Sequence, residues 1–319
     1  MGMSFHHSYS FDPAHGMDAD RLLAVPLPEA PEDFTAFWQK RCQRARQTDP
    51  RPQLRASPMA HPDWDVMEIS YRSTGEFPIH GWLLLPRSGP VRRGLVVAHG
   101  YGGRDAPDFD VPVTGTALIF PCCRGLSRSA RPPISTNPAW HVLHDIDKRD
   151  DYVIGGCVED IWLAASALVM LYPWLSGRIG YSGISFGGGI GALAVAFDDR
   201  FDRAHFEVPT FGNQPLWLSL PSIGSAASVQ AYNRRHGNAL STMRYYDSAS
   251  AAAYIRVPTL VAAALFDPAV APPCQFSVYN ALSGRKEIFI LDAGHFDYPG
   301  KGGQAGLLRA RLEDFFGAS

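Results

Sequence analysis

The chain has 319 residues, 46% of them hydrophobic and 19% charged, a composition that excludes a disordered chain and is ample for a substantial core. Lys plus Arg number 29 against 31 for Asp plus Glu, a net charge of -2, and no basic run is present to neutralise a row of phosphates, so nucleic acid is not an expected partner. Up to Val25 no basic region precedes an uninterrupted apolar stretch, and no segment reads as the roughly 20 apolar residues that span a bilayer, so neither a secretory signal nor a membrane association is expected. The five cysteines, Cys42, Cys122, Cys123, Cys157 and Cys274, are odd in number and lack C-x-x-C spacing, which suits a reduced, cytoplasmic protein. His6 and His7 are too few to identify a tag.

In chain order, a Pro-rich entry, VPLPEAPEDF, leads into a predicted helix with Asp33 near its start, and residues 1–58 read as a covering extension. Apolar runs rich in β-branched residues then predict strands at Val66 to Tyr71, Ile79 to Leu85, Gly94 to Ala98, Thr116 to Phe120, Arg178 to Ser182, Arg203 to Val208, Thr259 to Leu265 and Lys286 to Leu291. Several are apolar throughout, as strands covered on both faces must be, so the sheet is expected to be mainly parallel. Between them, Val158, Ile161, Trp162, Ala165, Leu168, Val169 and Tyr172 recur at three- and four-residue spacing and predict a buried helix. Residues 211–255 are aromatic and polar without strand signal and read as a helical insertion over one end of the sheet, of the kind that walls a pocket. The alternation of strands and helices gives an α/β fold, expected as one domain over residues 1–319.

Gly183-Ile184-Ser185-Phe186-Gly187 matches the G-x-S-x-G elbow, in which glycines flank a serine held on a tight strand-to-helix turn. That turn lifts the Ser185 hydroxyl above the sheet and aims the Phe186 N–H at a developing oxyanion. The same stretch contains a rival pattern. Gly189, Gly191 and Ala194 satisfy G-x-G-x-x-A, and Glu207 follows at the distance a dinucleotide site wants, although GISFG then intrudes between strand and first glycine. The bland alternative for all of these glycines is close helix-to-strand packing.

A serine hydroxyl needs a base, and the base needs a carboxylate that fixes its tautomer, so the remaining chain is decisive. Asp267 ends the strand of PTLVAAALFDPAV and His295 follows that of KEIFILDAGHF, each at a carboxyl edge and in the order serine, acid, histidine. Taken singly, Asp267 reads as a turn residue and His295 as a loop histidine; Asp292 and Asp297 are nearby competitors for the acid. Upstream, LVVA runs into His99-Gly100-Tyr101-Gly102-Gly103, an HGGG-like loop whose Tyr101 N–H is the expected second oxyanion donor. His141, His144 and Asp145 offer a metal alternative without a third ligand at recognisable spacing and read better as a solvated loop, so no metal is expected. Cys122 and Cys123 read as buried small hydrophobes.

With PEDFTAFW, IHGWLLLP, HGYGG, CRGLS, GISFGGG, the YYDSASAAAYIRVPTLVAAALFD segment, PPCQFSVYNALSGRKEI and AGHF, the chain resembles the acetyl xylan esterase and cephalosporin-C deacetylase family, carbohydrate esterase family seven. The resemblance implies an α/β-hydrolase with Ser185, Asp267 and His295 as triad and Tyr101 and Phe186 as oxyanion donors. It further implies a cytoplasmic esterase without cofactor that deacetylates sugars or other small acetyl esters, and a closed hexameric ring. The family's R-G-Q-G run is replaced at Leu126 and Ser127, its Glu after the histidine by Phe296, and the stretch from Asp267 to Pro273 is longer by one residue. A broader carboxylesterase, a dinucleotide-dependent oxidoreductase and a non-catalytic binding protein on the same scaffold are the alternative readings.

Overall fold

The computed structural model describes residues 5–317, so Met1 to Ser4 of the expected extension lie outside the described residues. Nine strands form one sheet: β1 (Gln53–Ala56), β2 (Trp64–Arg72), β3 (Pro78–Pro86), β4 (Arg93–Ala98), β5 (Thr116–Pro121), β6 (Ile179–Ile184), β7 (Phe201–Glu207), β8 (Thr259–Ala264) and β9 (Lys286–Leu291), in the spatial order β1-β2-β3-β5-β4-β6-β7-β8-β9. The run from β5 through β9 is parallel, and β1, β2 and β3 add antiparallel pairs at one side. The eight expected strands all appear. The additional β1, QLRA, is a short polar edge strand with three of its four residues exposed, so it carries neither alternation nor an apolar run to betray it.

The side chains of the central strands divide between two cores. Val96, Ala98, Ile119, Tyr181 and Phe206 point to the face covered by the helices Phe34–Arg46, Val153–Leu171 and Phe186–Phe197. Leu95, Val97, Leu118, Leu260 and Ala262 point to the other face, where the helix Lys301–Gly317 supplies Leu308, Phe315 and Phe316. This strict alternation buries both faces of β4, β5 and β8, which accounts for their continuous apolar runs. Among the described residues one helix, Val153–Leu171, is long and apolar enough to cross a membrane by length and composition, contrary to the reading that no segment is. Its spanning-length window is 83% buried, because the helix lies between the sheet and the extension.

Asp33 precedes the helix Phe34–Arg46, but its carboxylate does not cap it; it accepts a hydrogen bond from the Tyr245 hydroxyl at 2.6 Å instead. Trp38 of the same helix donates its indole N–H to the Tyr245 carbonyl at 2.7 Å, so the extension is tied to the insertion. That insertion is helical, with helices Gln214–Ser219, Ser225–His236, Ala239–Met243 and Ser248–Ala252. The five cysteines are buried free thiols, Cys122 and Cys123 among them.

Arg124 of the CRGLS run is held inside the molecule. Its guanidinium donates to the fully buried Asp160 at 2.7 Å, and the Asp160 carboxylate also accepts the Arg124 backbone N–H at 2.8 Å. Leu126 is buried in the core, and the Ser127 hydroxyl accepts the Arg104 N–H at 2.8 Å, so Ser127 fastens the end of the His99–Gly103 loop. Removing one partner of a buried ion pair strands the other charge. Asp160→Ala is therefore expected to lower the unfolding free energy in urea by about 3–5 kcal/mol, whereas a loss below about 1 kcal/mol contradicts this account of Arg124.

Candidate active site

Four parallel strands deliver the candidate residues to one edge. β6 ends one residue before Ser185, β8 leads to Asp267, β9 to His295 and β4 to Tyr101. Ser185 adopts φ 54° and ψ −112°, a sparsely populated region for a non-glycine residue, and it is locked there by its N–H to the Glu207 carbonyl at 2.7 Å and its carbonyl to the Thr210 N–H at 3.2 Å. The flanking glycines follow from crowding. A Cβ on Gly183 would lie 2.5 Å from the Gly187 carbonyl oxygen, and one on Gly187 would lie 2.8 Å from that of His99.

The structure brings the three expected side chains into one hydrogen-bonded chain. His295 Nε2 is 2.9 Å from Ser185 Oγ, and His295 Nδ1 is 2.7 Å from Asp267 Oδ2. Asp267 is fully buried and divides its oxygens between two tasks. Oδ1 accepts the N–H groups of Ala269 at 2.8 Å and Val270 at 2.9 Å, which is the turn duty expected of an Asp before Pro, while Oδ2 faces the imidazole. Gln275, in the helix Pro272–Ala281, also donates to Oδ2 at 2.9 Å, and its carbonyl accepts the Ala264 N–H at 2.8 Å. The competitors do not reach: Asp297 is paired with Lys301 on the surface, and Asp292 makes no bond to the imidazole.

The His99–Gly103 loop lies against the serine. A Cβ on Gly100 would be 3.8 Å from Ser185 Cβ, and the Tyr101 ring stacks on Phe186 with centroids 4.4 Å apart. Phe186 opens the helix Phe186–Phe197, so its N–H has no partner within the helix, and the Tyr101 N–H has no acceptor among the described residues. Two unpaired backbone donors thus flank the serine. The Tyr101 hydroxyl is fixed by His141 Nδ1 at 3.1 Å, and His141 Nε2 lies 2.9 Å from the Arg124 carbonyl. The reading of His141 as part of a solvated loop is thereby corrected, because the ring is fully buried behind Tyr101. His144 lies 3.7 Å from its neighbour Asp145, and among the described residues no three metal-ligating side chains converge.

The glycines of the rival dinucleotide pattern face protein. A Cβ on Gly189 would lie 2.4 Å from the Thr210 carbonyl oxygen and one on Gly191 2.0 Å from the Tyr181 ring, so helix packing accounts for both. Glu207 has a different setting from the one that pattern gave it. It ends β7 beside the imidazole, its carboxyl is pushed up by burial, and its charge acts on His295. Sequence reasoning missed Gln275, His141 and this position of Glu207. None carries a local signature, because each acts across the sheet edge.

Serine, imidazole and carboxylate in one hydrogen-bonded chain, beside two free N–H groups at the carboxyl edge of a mainly parallel sheet, make up the arrangement of an α/β-hydrolase site. The acetyl xylan esterase family profile matches residues 25–305, and the chain belongs to that family. An acetyl esterase of Xylanibacter ruminicola is 21% identical over 286 residues, which cover 84% of this chain and 64% of the relative, so the chain spans less than two thirds of that protein's length. The fold is that of acetyl xylan esterases from a Paenibacillus species, with a TM-score of 0.78 and 22% identity over 92% of this chain and 99% of the other, and from a Thermoanaerobacterium species, with 0.79 and 22% over 95% and 99%.

Burial pulls the His295 imidazole down, but the Asp267 carboxylate with its hydrogen bond, and Glu207, together raise it above its ordinary value. A raised value means that the ring keeps its proton to higher pH and becomes a base only above it. The acid limb of kcat/KM is therefore expected above pH 6.5, and Asp267→Asn is expected to move it downward while lowering kcat on the order of ten-thousandfold. An unmoved limb in a pH–rate profile contradicts this electrostatic account.

Proposed function

We propose that the protein is a serine esterase that removes acetyl groups from small acetylated alcohols, acetylated sugars among them. The observation that carries this reading is the continuous chain from Ser185 Oγ through His295 to Asp267, at 2.9 and 2.7 Å. In the first half-reaction Ser185 Oγ bonds to the ester carbonyl carbon as His295 Nε2 takes its proton. The tetrahedral oxyanion is held by the N–H groups of Tyr101 and Phe186, each contributing on the order of a hundredfold or more in rate. Collapse breaks the carbon–alkoxide bond, and the imidazolium returns its proton to the leaving alkoxide. Water, deprotonated by the same imidazole, then adds to the acyl-enzyme, and release of the acid restores the serine. Protein groups and water account for every proton and electron pair in this sequence.

Membership of the acetyl xylan esterase family supports a short acyl group.

Initial rates on p-nitrophenyl acetate, butyrate and octanoate separate the readings. The acetate is expected to be preferred by about tenfold or more over the octanoate in kcat/KM, with turnover of each lost in Ser185→Ala. Equal rates across the series point to a broader carboxylesterase, and turnover that survives Ser185→Ala contradicts the serine mechanism altogether.

A further inference from the structure

β4 and β5 are parallel neighbours, and such a pair is ordinarily joined by a helix packed on the sheet. Here residues 99–115 make the crossover as a Pro- and Asp-containing coil. The coil is fastened at its edges, by the Trp64 indole to the Phe109 carbonyl at 3.2 Å and by Arg309 of the last helix to the Asp110 carbonyl at 3.2 Å. A coil fills less volume than a helix. Beneath it, between the sheet and the helix Lys301–Gly317, lies a cavity of about 720 Å³.

The cavity is lined mostly by apolar surface, from Val97, Val111, Leu308 and Leu312 among others, with charged Asp110 and Arg309; Ser182, His205 and Glu207 line it together with His295. His205 is 2% exposed, its Nδ1 is 3.1 Å from the Ser182 hydroxyl, and its Nε2 is buried without a partner. The Glu207 carboxyl likewise makes no hydrogen bond or ion pair with any described residue, and burial pushes it up. A buried imidazole nitrogen without a partner is a cost unless a hydrogen-bonding group answers it, and the half-buried Glu207 carboxyl lines the cavity beside it. Ile184 and His295, the immediate neighbours of Ser185 in sequence and in hydrogen bonding, form the wall nearest the reacting atoms.

We infer that this cavity is the leaving-group subsite of the esterase, built for an alcohol with a largely apolar body and a hydroxyl or N–H group that reaches Glu207 and His205. The assignment rests on the esterase reading, in which the alkoxide departs toward the imidazole that protonates it. The acyl group occupies the other side of the serine, against Tyr101 and Phe186. A volume of this size suits a small molecule.

The test compares 2-naphthylmethyl acetate with methyl acetate, which share the acyl group and differ only in the alcohol. Val111→Trp, which fills the cavity from the coil, is expected to lower the ratio of the two kcat/KM values by about tenfold or more. A ratio within about twofold of the wild type, in a variant of unchanged melting temperature, overturns the subsite and leaves the esterase standing. Absence of wild-type turnover on both esters overturns the esterase reading and this assignment with it. Independently of any variant, titration of the wild-type protein with 2-naphthylmethanol is expected to shift the amide resonances of Val111, Ser182, Glu207 and Leu312. Shifts confined to other residues overturn the inference.

Discussion

The Asp267 carboxylate is the point on which the site turns. It is buried, and a buried carboxylate must be answered by donors at both oxygens. The turn N–H groups of Ala269 and Val270 answer one oxygen; Gln275 and the His295 imidazole answer the other. The same four donors come from the loop after β8, the following helix and the loop after β9, so satisfying one charge fixes three chain segments relative to one another. Ser185 is then brought to the imidazole by the elbow after β6. The strained backbone of that elbow is held by hydrogen bonds to Glu207 and Thr210 across the next strand.

Around this edge the two faces of the sheet are treated differently. The face carrying Phe186–Phe197 is closed by three packed helices, one of them from the extension, and the Tyr101 ring stacks on Phe186 there. The opposite face has one long helix and a coil crossover, and it is there that space remains next to His295. Phe296, where the family resemblance expects a glutamate, belongs to a separate aromatic cluster with Phe5, Phe266 and Tyr298, which braces the loops of Asp267 and His295 from outside.

Strands buried on both faces were legible because burial on both sides demands unbroken apolar runs, and the serine elbow because its crowding demands glycines. The meeting of Asp267 and His295 with Ser185 was legible through their order and position at strand ends. What the sequence concealed has a common physical cause. β1 is exposed and polar, and pairing with β2 rather than composition makes it a strand. Gln275, His141 and Glu207 matter through partners far away in the chain, and a single residue facing a distant carboxylate, hydroxyl or imidazole leaves no periodic trace. The cavity is a property of volume, set by a coil where a helix could have packed, and no local pattern reports it.

The central claim is that Ser185 Oγ is the nucleophile, activated by His295. Reaction with a fluorophosphonate, followed by peptide mass spectrometry, tests it most directly. One equivalent of phosphonate is expected on the peptide containing Ser185, with labelling abolished in Ser185→Ala and slowed in His295→Ala. Label on a different residue, or undiminished labelling of Ser185→Ala, would contradict it.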